Sequence, residues 1–169
     1  MAILKIKTYP DSVLRSFAKP VNGVDRDVRK LIDDMAETMY EAPGIGLAAN
    51  QVGELKRVIV IDIQREGEST GLIALVNPEI IEKKGSIAIE EGCLSVPDYY
   101  SEVKRAEEVR VRGLDLNGKQ IEIDAKGLLA VVFQHEIDHL NGKLFIDRLN
   151  PIKREIFKRN WKKKKKKKG

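Results

Sequence analysis

The sequence predicts an α+β fold, with mainly antiparallel β-sheets packed around a buried helix that carries His-Glu-x-x-His, plus a C-terminal helix. Three observations support it. Several short β-branched segments are separated by turn residues, which is typical of strands. Residues 125–140 are apolar on nearly every helical face, which is typical of a buried helix. Strands and helices do not alternate regularly, which argues against a doubly wound parallel sheet.

The length of 169 residues suits one catalytic domain, which we expect over residues 1–160. Residues 161–169 are expected to be a basic, disordered tail, because Lys162 to Lys168 are seven consecutive lysines. These lysines account for the whole positive net charge of +5, and the remaining body is slightly acidic. Overall charge therefore gives no reason to expect DNA binding.

A single cysteine cannot form an intramolecular disulfide, and a lone thiol suits a reducing compartment. Residues 1–20 lack an apolar signal segment followed by a cleavage site, and apolar runs such as 58–61 are far shorter than a membrane span of roughly 18 residues. We therefore expect a cytoplasmic protein without a membrane partner.

The elements follow in order along the chain. Apolar residues at helical spacing predict a half-exposed helix over 25–40, and β-branched content predicts strands over 57–63 and 72–77. Residues 80–90 are predicted to form a further strand or one arm of a hairpin. Residues 108–116 and 119–124 alternate apolar with charged side chains around Asn-Gly, which predicts a hairpin with a two-residue type I′ turn.

Two helices complete the prediction. The buried helix spans roughly 125–140 and ends at Asn141-Gly142, a favourable C-terminal stop. Asn150-Pro151 resembles an N-cap followed by proline at the first helical position, so a last, basic helix is expected to begin there.

His135, Glu136 and His139 give the strongest chemical signal. Histidines four apart lie on one helix face and can chelate one cation, while Glu136 lies about 100° around the axis and can act as general base on an activated water. The same match can arise by chance on a solvated helix. Against this, the helix is predicted to be buried, and these are the only histidines in the chain.

Cys93 and Gln51 are ambiguous when considered alone. A lone cysteine is usually an inert buried residue, and it can also be a nucleophile paired with a histidine. Combined with two histidines, Cys93 becomes a third ligand that leaves one position open for water, as a catalytic site requires. Gln51 ends a glycine-rich segment that is not a phosphate loop; it is either an oxyanion donor or a surface amide.

Three segments together resemble the motifs of peptide deformylase: G-x-G-L-A-A-x-Q at 44–51, E-G-C-L-S at 91–95 and Q-H-E-x-D-H at 134–139. The resemblance implies a hydrolase that removes the formyl group from the N-terminal formyl-methionine of nascent polypeptides in the bacterial cytoplasm and releases formate. It also implies one divalent metal, most often Fe(2+), with Zn(2+), Ni(2+) or Co(2+) as substitutes.

The resemblance assigns roles to individual residues. The implied metal ligands are Cys93, His135 and His139, and the implied catalytic groups are Glu136 as acid/base with the Gln51 amide and the Leu94 N–H as oxyanion donors. The residues expected to bind substrate are Ile45, Gly46, Glu91, Tyr100, Leu128, Val131 and Val132. The four apolar members among them are equally compatible with plain core packing. Asp138 and Arg105 are expected to form a supporting ion pair.

Two other classes of function and one further partner remain open at this point. A His-Glu-x-x-His metalloprotease usually takes a third ligand downstream of the helix, whereas Cys93 lies upstream. A binding protein with a structural metal would need a carboxylate as fourth ligand. The C-terminal basic helix and tail, with Arg154, Lys158 and Arg159, are a candidate contact to ribosomal RNA.

Overall fold

Helices and strands follow one another in mixed order along the chain, and a computed structural model describes residues 2–65 and 68–168. The helices are α1 (Arg26–Glu41), α2 (Leu128–Leu140) and α3 (Pro151–Lys168). The strands are β1 (Gly46–Ala48), β2 (Val58–Ile61), β3 (Gln64–Arg65), β4 (Glu68–Ser69), β5 (Ile73–Lys84), β6 (Ile87–Cys93), β7 (Val96–Arg105), β8 (Glu108–Leu114) and β9 (Gln120–Lys126). Short 3-10 turns span Ser12–Arg15, Ala49–Val52 and Phe145–Arg148.

The main sheet has five antiparallel strands in the order β1-β2-β5-β8-β9, and β6 and β7 form a separate hairpin. A small ribbon of β3 and β4 lies beside them. The predicted α+β class with antiparallel sheets and a C-terminal helix is therefore confirmed. Among the described residues, no helix has both the length and the apolar character needed to cross a membrane.

Strand β2 explains how the core is layered. Its four residues are all fully buried, although an antiparallel strand usually exposes alternate side chains. Ile59 and Ile61 pack in the cluster with α2, while Val58 and Val60 pack in the cluster with α1. Because side chains alternate between the faces of a strand, the two helices cover opposite faces of the sheet. The helix with the histidines is thus held against one face.

Helix α2 begins three residues later than predicted. The apolar periodicity suggested a start near Ala125, but Ala125 and Lys126 still pair with β8 as part of β9. Gly127 makes the change of direction with a φ of 60°, a backbone conformation that favours glycine. Of the thirteen helical residues, eleven are buried, so the prediction of a buried helix is confirmed.

Three further boundaries differ from the prediction. Strand β5 extends to Lys84, and a turn at Gly85 separates it from β6, so residues 80–90 belong to two strands. Strand β7 was not predicted. The β8–β9 connection runs over 115–119, and not over two residues, because the Asp115 carboxylate accepts hydrogen bonds from the N–H groups of Asn117 and Lys119.

Helix α3 begins at Pro151 as predicted, but it continues through Lys168, where a disordered tail was expected. Lysine has good intrinsic helix propensity, and the run contains neither glycine nor proline to end a helix. The first half of α3 is anchored by Phe157, whose ring makes edge contacts with Tyr9 and Tyr99. Gly169 lies outside the described residues.

Candidate metal centre and active site

Cys93, His135 and His139 converge on one point in the interior. The two histidines lie one turn apart on α2, with ring centroids 5.0 Å apart, and Cys93 is the last residue of β6. Cys93 Sγ is 3.3 Å from His139 Nε2. One potential ligand atom from each of the three residues lies within 4.8 Å of the other two. Cys93 and His139, which are 46 positions apart in the chain, are thus brought together by the fold.

The hydrogen bonding of His135 fixes which nitrogen faces the centre. Its Nδ1 is 2.9 Å from Oε1 of Glu91, and an ionised carboxylate has no proton to donate. Nδ1 therefore carries a hydrogen, and Nε2 is the nitrogen left to bind a cation. A carboxylate behind a ligating histidine fixes its tautomer and increases its basicity, as in known metal sites.

The protonation preferences of the two rings suit a bound cation. Burial, together with the positive charge of His135, holds the pKa of His139 well below its usual value, so this ring is neutral. Burial also opposes charge on His135, but Glu136, Cys93 and Glu91 outweigh it and raise its pKa well above normal. The negative groups around these rings therefore favour positive charge at the centre. Two imidazoles and one thiol form a donor set that suits iron or zinc.

Glu136 lies beside the centre and is almost fully buried, at 4% exposure. Burial raises its pKa to about 7, with His135 and Arg105 opposing the shift. Its Oε1 has no hydrogen-bond partner among the described residues. A carboxyl group with a pKa near neutrality and an unused oxygen is suited to accept and return a proton.

Gln51 lies in the 3-10 turn that follows β1, and at 1% exposure it is not a surface amide. Its Oε1 accepts a hydrogen bond of 2.9 Å from the N–H of Ala48, which sets the orientation of the amide. Its Nε2 donates to Ser95 Oγ at 3.0 Å and lies 3.6 Å from Cys93 Sγ. The side chain is thus held with its amino group at the centre.

A cavity of about 780 Å³ opens beside the centre. Every residue predicted to bind substrate lines it, and so do the two predicted oxyanion donors: Ile45, Gly46, Gln51, Glu91, Leu94, Tyr100, Leu128, Val131 and Val132. Val132 also belongs to the apolar core cluster between α2 and the main sheet, so this residue both packs in the core and lines the cavity. The apolar wall formed by Leu128 and Val131 comes from the first turn of α2.

Glu91 has a larger structural role than predicted. Its carboxylate receives two hydrogen bonds from Arg105, at 2.6 and 2.9 Å, besides the contact to His135. Arg105 also donates to Asp138 at 2.9 Å, the pair expected from the sequence. Asp138 in turn accepts two hydrogen bonds from Arg148, at 2.6 and 2.7 Å. This chain of charges ties β6, β7 and α2 together behind the candidate metal ligands.

The sequence did not indicate Arg148 as a member of this chain of charges. Arg148 lies in the 3-10 turn before α3, and only the folded chain brings it to Asp138. Opposing carboxylates overcome the effect of burial and raise the pKa of Arg105, so both arginines stay charged. Only one feature of the sequence could have suggested such a residue: a buried helix with His-Glu-x-Asp-His needs cations to offset its acidic side chains.

The family profile described as Polypeptide deformylase matches residues 3–155. The chain belongs to the peptide deformylase family. It is 65% identical to a peptide deformylase of Syntrophobacter fumaroxidans over 97% of this chain and 96% of that one. A second peptide deformylase, from Thermodesulfovibrio yellowstonii, is 56% identical over 98% of this chain and 100% of its own length.

Solved deformylase structures share the fold. A crystal structure of peptide deformylase from Ehrlichia chaffeensis aligns with a TM-score of 0.91 and 40% identity, covering 99% of each chain. The structure from the same organism in complex with actinonin aligns with a TM-score of 0.90 and 42% identity, over 97% of this chain and 98% of that one. The resemblance noted in the sequence is therefore confirmed over nearly the whole chain.

Membership in this family establishes the reaction. The chain is a hydrolase that removes the N-terminal formyl group from nascent polypeptides, and enzymes of this family are metalloenzymes. A metalloprotease and a protein with a purely structural metal, both compatible with the residues alone, are not supported by the comparisons. The predictions of enzyme class and reaction are confirmed.

Proposed function

We propose that Cys93, His135 and His139 hold one divalent cation in this deformylase and that Glu136 is its general acid/base. The observation that supports this most directly is the convergence of three ligand atoms within 4.8 Å, next to a buried carboxylate. When bound, such a cation polarises a carbonyl group and makes water more acidic. Residues 1–160 would form the catalytic domain.

Glu136 would move the proton in both halves of the reaction. It removes a proton from the attacking water molecule and later delivers that proton to the amine that leaves when the formyl C–N bond breaks. Its location against the backbone of Gly46 and at the wall of the cavity supports this role, because it places the carboxylate where the substrate would enter. Formate and a free amino terminus are the products.

Gln51 and Leu94 would stabilise the negative oxygen that develops on the formyl carbon. The Gln51 amide has two N–H groups, and the bond to Ser95 uses one of them. The second is directed at Cys93 Sγ, a weak acceptor 3.6 Å away, and would turn to the oxyanion together with the backbone N–H of Leu94. The bond that Gln51 accepts from Ala48 holds the amide in place before the substrate arrives.

The cavity would hold the methionine side chain of the substrate among Ile45, Leu128, Val131 and Val132. Strand β1 is an edge strand of the main sheet, so its outer side is available to pair with an extended peptide backbone beside Gly46. Tyr100 would lie at the mouth of the cavity. Glu91 lines the same cavity, but its hydrogen bonds to Arg105 and His135 suit a positioning residue better than a substrate contact.

We propose Fe(2+) as the cation in the cell, with Zn(2+), Ni(2+) or Co(2+) as substitutes. One sulfur and two nitrogen donors suit all four ions, and the general order of affinity places Fe(2+) below the others. Availability in the cell therefore decides which ion is bound. Oxidation of Cys93 would remove one ligand, so anaerobic handling should preserve the site.

The test is anaerobic purification followed by elemental analysis and a formate-release assay on a formyl-Met-Ala-Ser peptide. We expect about one equivalent of metal per chain and rapid formate release. Cys93→Ala should lose both the metal and the activity. Full metal content in Cys93→Ala would contradict the ligand assignment.

We propose in addition that α3 contacts ribosomal RNA in the cytoplasm. Its exposed residues include Lys158, Arg159 and Lys162, and such a basic helix attracts phosphate groups. Removing residues 162–169 should weaken co-sedimentation with ribosomes, most strongly at low salt, and leave turnover of short peptides intact. Ribosome binding equal to that of the full chain would contradict this contact.

A further inference from the structure

A second cavity, of about 410 Å³, lies apart from the active-site cavity, and no described residue lines both. It is bounded by the end of β5, the turn to β6, the end of β7 and one face of α2, which contributes Gln134 and Asp138. Five of the described residues that line it are basic: Lys83, Lys84, Lys104, Arg105 and Arg148. Asp138 is the single acidic residue in the same described lining. The wall of this second cavity is therefore rich in positive charge.

The two arginines of the second cavity are already balanced by carboxylates. Arg105, whose side chain is 2% exposed, donates three hydrogen bonds to Glu91 and Asp138, and Arg148 donates two to Asp138. Two arginines thus face two carboxylates, and their formal charges cancel. A guanidinium group has five N–H donors, so these bonds leave three on Arg148, whose side chain is 39% exposed. Arg148 can therefore donate to a ligand without releasing Asp138.

The lysines of the second cavity add charge that the described chain does not balance. Lys84 lies 3.5 Å from a carboxylate oxygen of Glu82. Among the described residues, the ammonium groups of Lys83 and Lys104 have no carboxylate oxygen within 4 Å. Glu107 lies close to the β5–β6 turn, but it does not line the second cavity. Two positive charges therefore remain uncompensated beside the arginines.

The strand register explains why Lys83 belongs to this cavity and not to the opposite face of the sheet. Lys83 lies opposite Val109 of β8, and side chains paired across two strands are on the same face. Val109 packs in the core cluster with α2, so Lys83 is on the face that this helix covers. Lys104 reaches the same cavity from β7. Cations that separate elements bring into one concave site attract an anion strongly, because their fields add.

We propose that the second cavity binds the phosphate group of a small molecule, held by Lys83, Lys104 and Arg148. Ammonium and guanidinium groups form strong, charge-assisted hydrogen bonds to phosphate oxygens. The Ser86 hydroxyl lines the same cavity and adds a donor. The cavity volume lies within the range of about 300–1,000 Å³ that is usual for small-molecule sites, and a bare phosphate ion would not fill it.

A ligand in the second cavity would bridge elements that support the active site. It would join the end of β5 and β7 to Arg148, which meets Arg105 at Asp138. Arg105 in turn holds Glu91 behind His135. Because a ligand that binds only the folded chain stabilises it, the unfolding temperature should rise with ligand concentration.

The first experiment follows the backbone amide NMR signals of the full chain loaded with Zn(2+), a closed-shell ion. The protein is titrated with inorganic phosphate and, separately, with glycerol 3-phosphate, while sodium chloride keeps the ionic strength constant. The amides of Gly85, Ser86 and Ala106 should shift in a saturable way, with a Kd of about 1–10 mM, as expected for a few exposed charge contacts. Shifts confined to Gly46 and Leu94 would place the phosphate at the metal centre and overturn the inference.

Variants separate the second cavity from general electrostatics. The double variant Lys83→Gln with Lys104→Gln should weaken the binding of phosphate about fivefold. Both lysines are exposed, so the fold should be retained, which the unfolding temperature without ligand checks. The matched control is Lys5→Gln with Lys119→Gln, which removes two charges from exposed lysines that line neither cavity. Equal weakening in this control would assign the effect to net charge and not to the second cavity.

The two phosphate compounds share the group that the cavity recognises. Saturable binding of either compound that weakens in the double variant supports the inference, and tighter binding of glycerol 3-phosphate identifies an ester as the ligand class. Shifts that grow without saturation contradict a site. A short RNA oligonucleotide that shifts the same amides when neither small compound does would assign the cavity to nucleic acid and reject a small-molecule ligand. None of these readouts uses formate release, so their failure leaves the proposed function standing.

Discussion

Gly46 and Glu136 are in direct contact, and a β-carbon added at Gly46 would lie 2.5 Å from Oε2 of Glu136. The edge strand β1 and the helix α2 thus meet at the carboxylate that we assign as general acid/base. The space that a side chain at position 46 would need is occupied by the Glu136 carboxylate, which would have to shift. Gly46 is therefore a positioning residue for Glu136.

The contact between Gly46 and Glu136 predicts that a single methyl group added at position 46 has a large effect on catalysis. Gly46→Ala should displace the Glu136 carboxylate and lower kcat by about 10²-fold or more, given the usual contribution of a placed acid/base. Metal content and the unfolding temperature should change little. The matched control is Gly23→Ala, because an added β-carbon there has no atom within 4 Å. Equal activity of the two variants would contradict the role of the contact.

Removing the carboxylate itself should separate metal binding from catalysis. We expect Glu136→Gln to retain one equivalent of metal and to lose about 10²- to 10⁴-fold in kcat, the range for general acid/base catalysis. Elemental analysis and a formate-release assay on the same preparation measure both quantities. A variant with no metal would show that Glu136 supports the ligands, and a fully active variant would show that another group moves the proton.

The bond between Glu91 and His135 predicts an effect on metal affinity. Glu91→Gln keeps the size of the side chain but removes the charge that holds His135 in its tautomer, so metal affinity should fall about 10- to 100-fold. Competition with a fluorescent chelator measures the affinity independently of activity. Glu90→Gln changes the neighbouring carboxylate, which faces the other side of β6, and should leave the affinity unaltered.

Arg105 is expected to matter for stability. Its side chain is 2% exposed and joins Glu91 to Asp138. Arg105→Met would remove from the interior the cation that Glu91 and Asp138 share, leaving Glu91 with His135 and Asp138 with Arg148, at a cost of about 3–5 kcal/mol in the free energy of unfolding. Urea denaturation measures this cost. The control Arg110→Met removes an arginine whose ion pairs lie at the surface, and it should cost far less.

Tyr40 gives a prediction for alkaline pH. Burial and the 2.5 Å hydrogen bond from its hydroxyl to Asp62 raise its pKa from 10.0 to about 12. Because the folded pKa lies above the unfolded one, this group contributes stability that is complete below pH 10.0 and is lost as the pH rises toward about 12. Tyr40→Phe should abolish that part of the alkaline loss in urea denaturation. An unchanged pH profile in the variant would contradict the assignment.

Much of the fold was predictable because its signals are local. The apolar faces of α2, the proline that opens α3 and the alternation in β8 and β9 all lie within single segments. Strand β7 was missed because its outer face is polar and its inner face is only partly apolar. The start of α2 was placed too early because the apolar periodicity runs through the end of β9, and only strand pairing shows that Lys126 is extended.

The sequence by itself determined which side chains can make up the site: one cysteine, two histidines four apart and a glutamate between them are the candidate donor set. What only the tertiary structure decided is how that site is supported. Arg105 and Arg148 come from other elements, and their meeting with Glu91 and Asp138 depends on how the β6–β7 hairpin packs on α2. Ion pairs between distant segments leave no periodic trace in a sequence, because any surface charge is a candidate partner until the chain has folded.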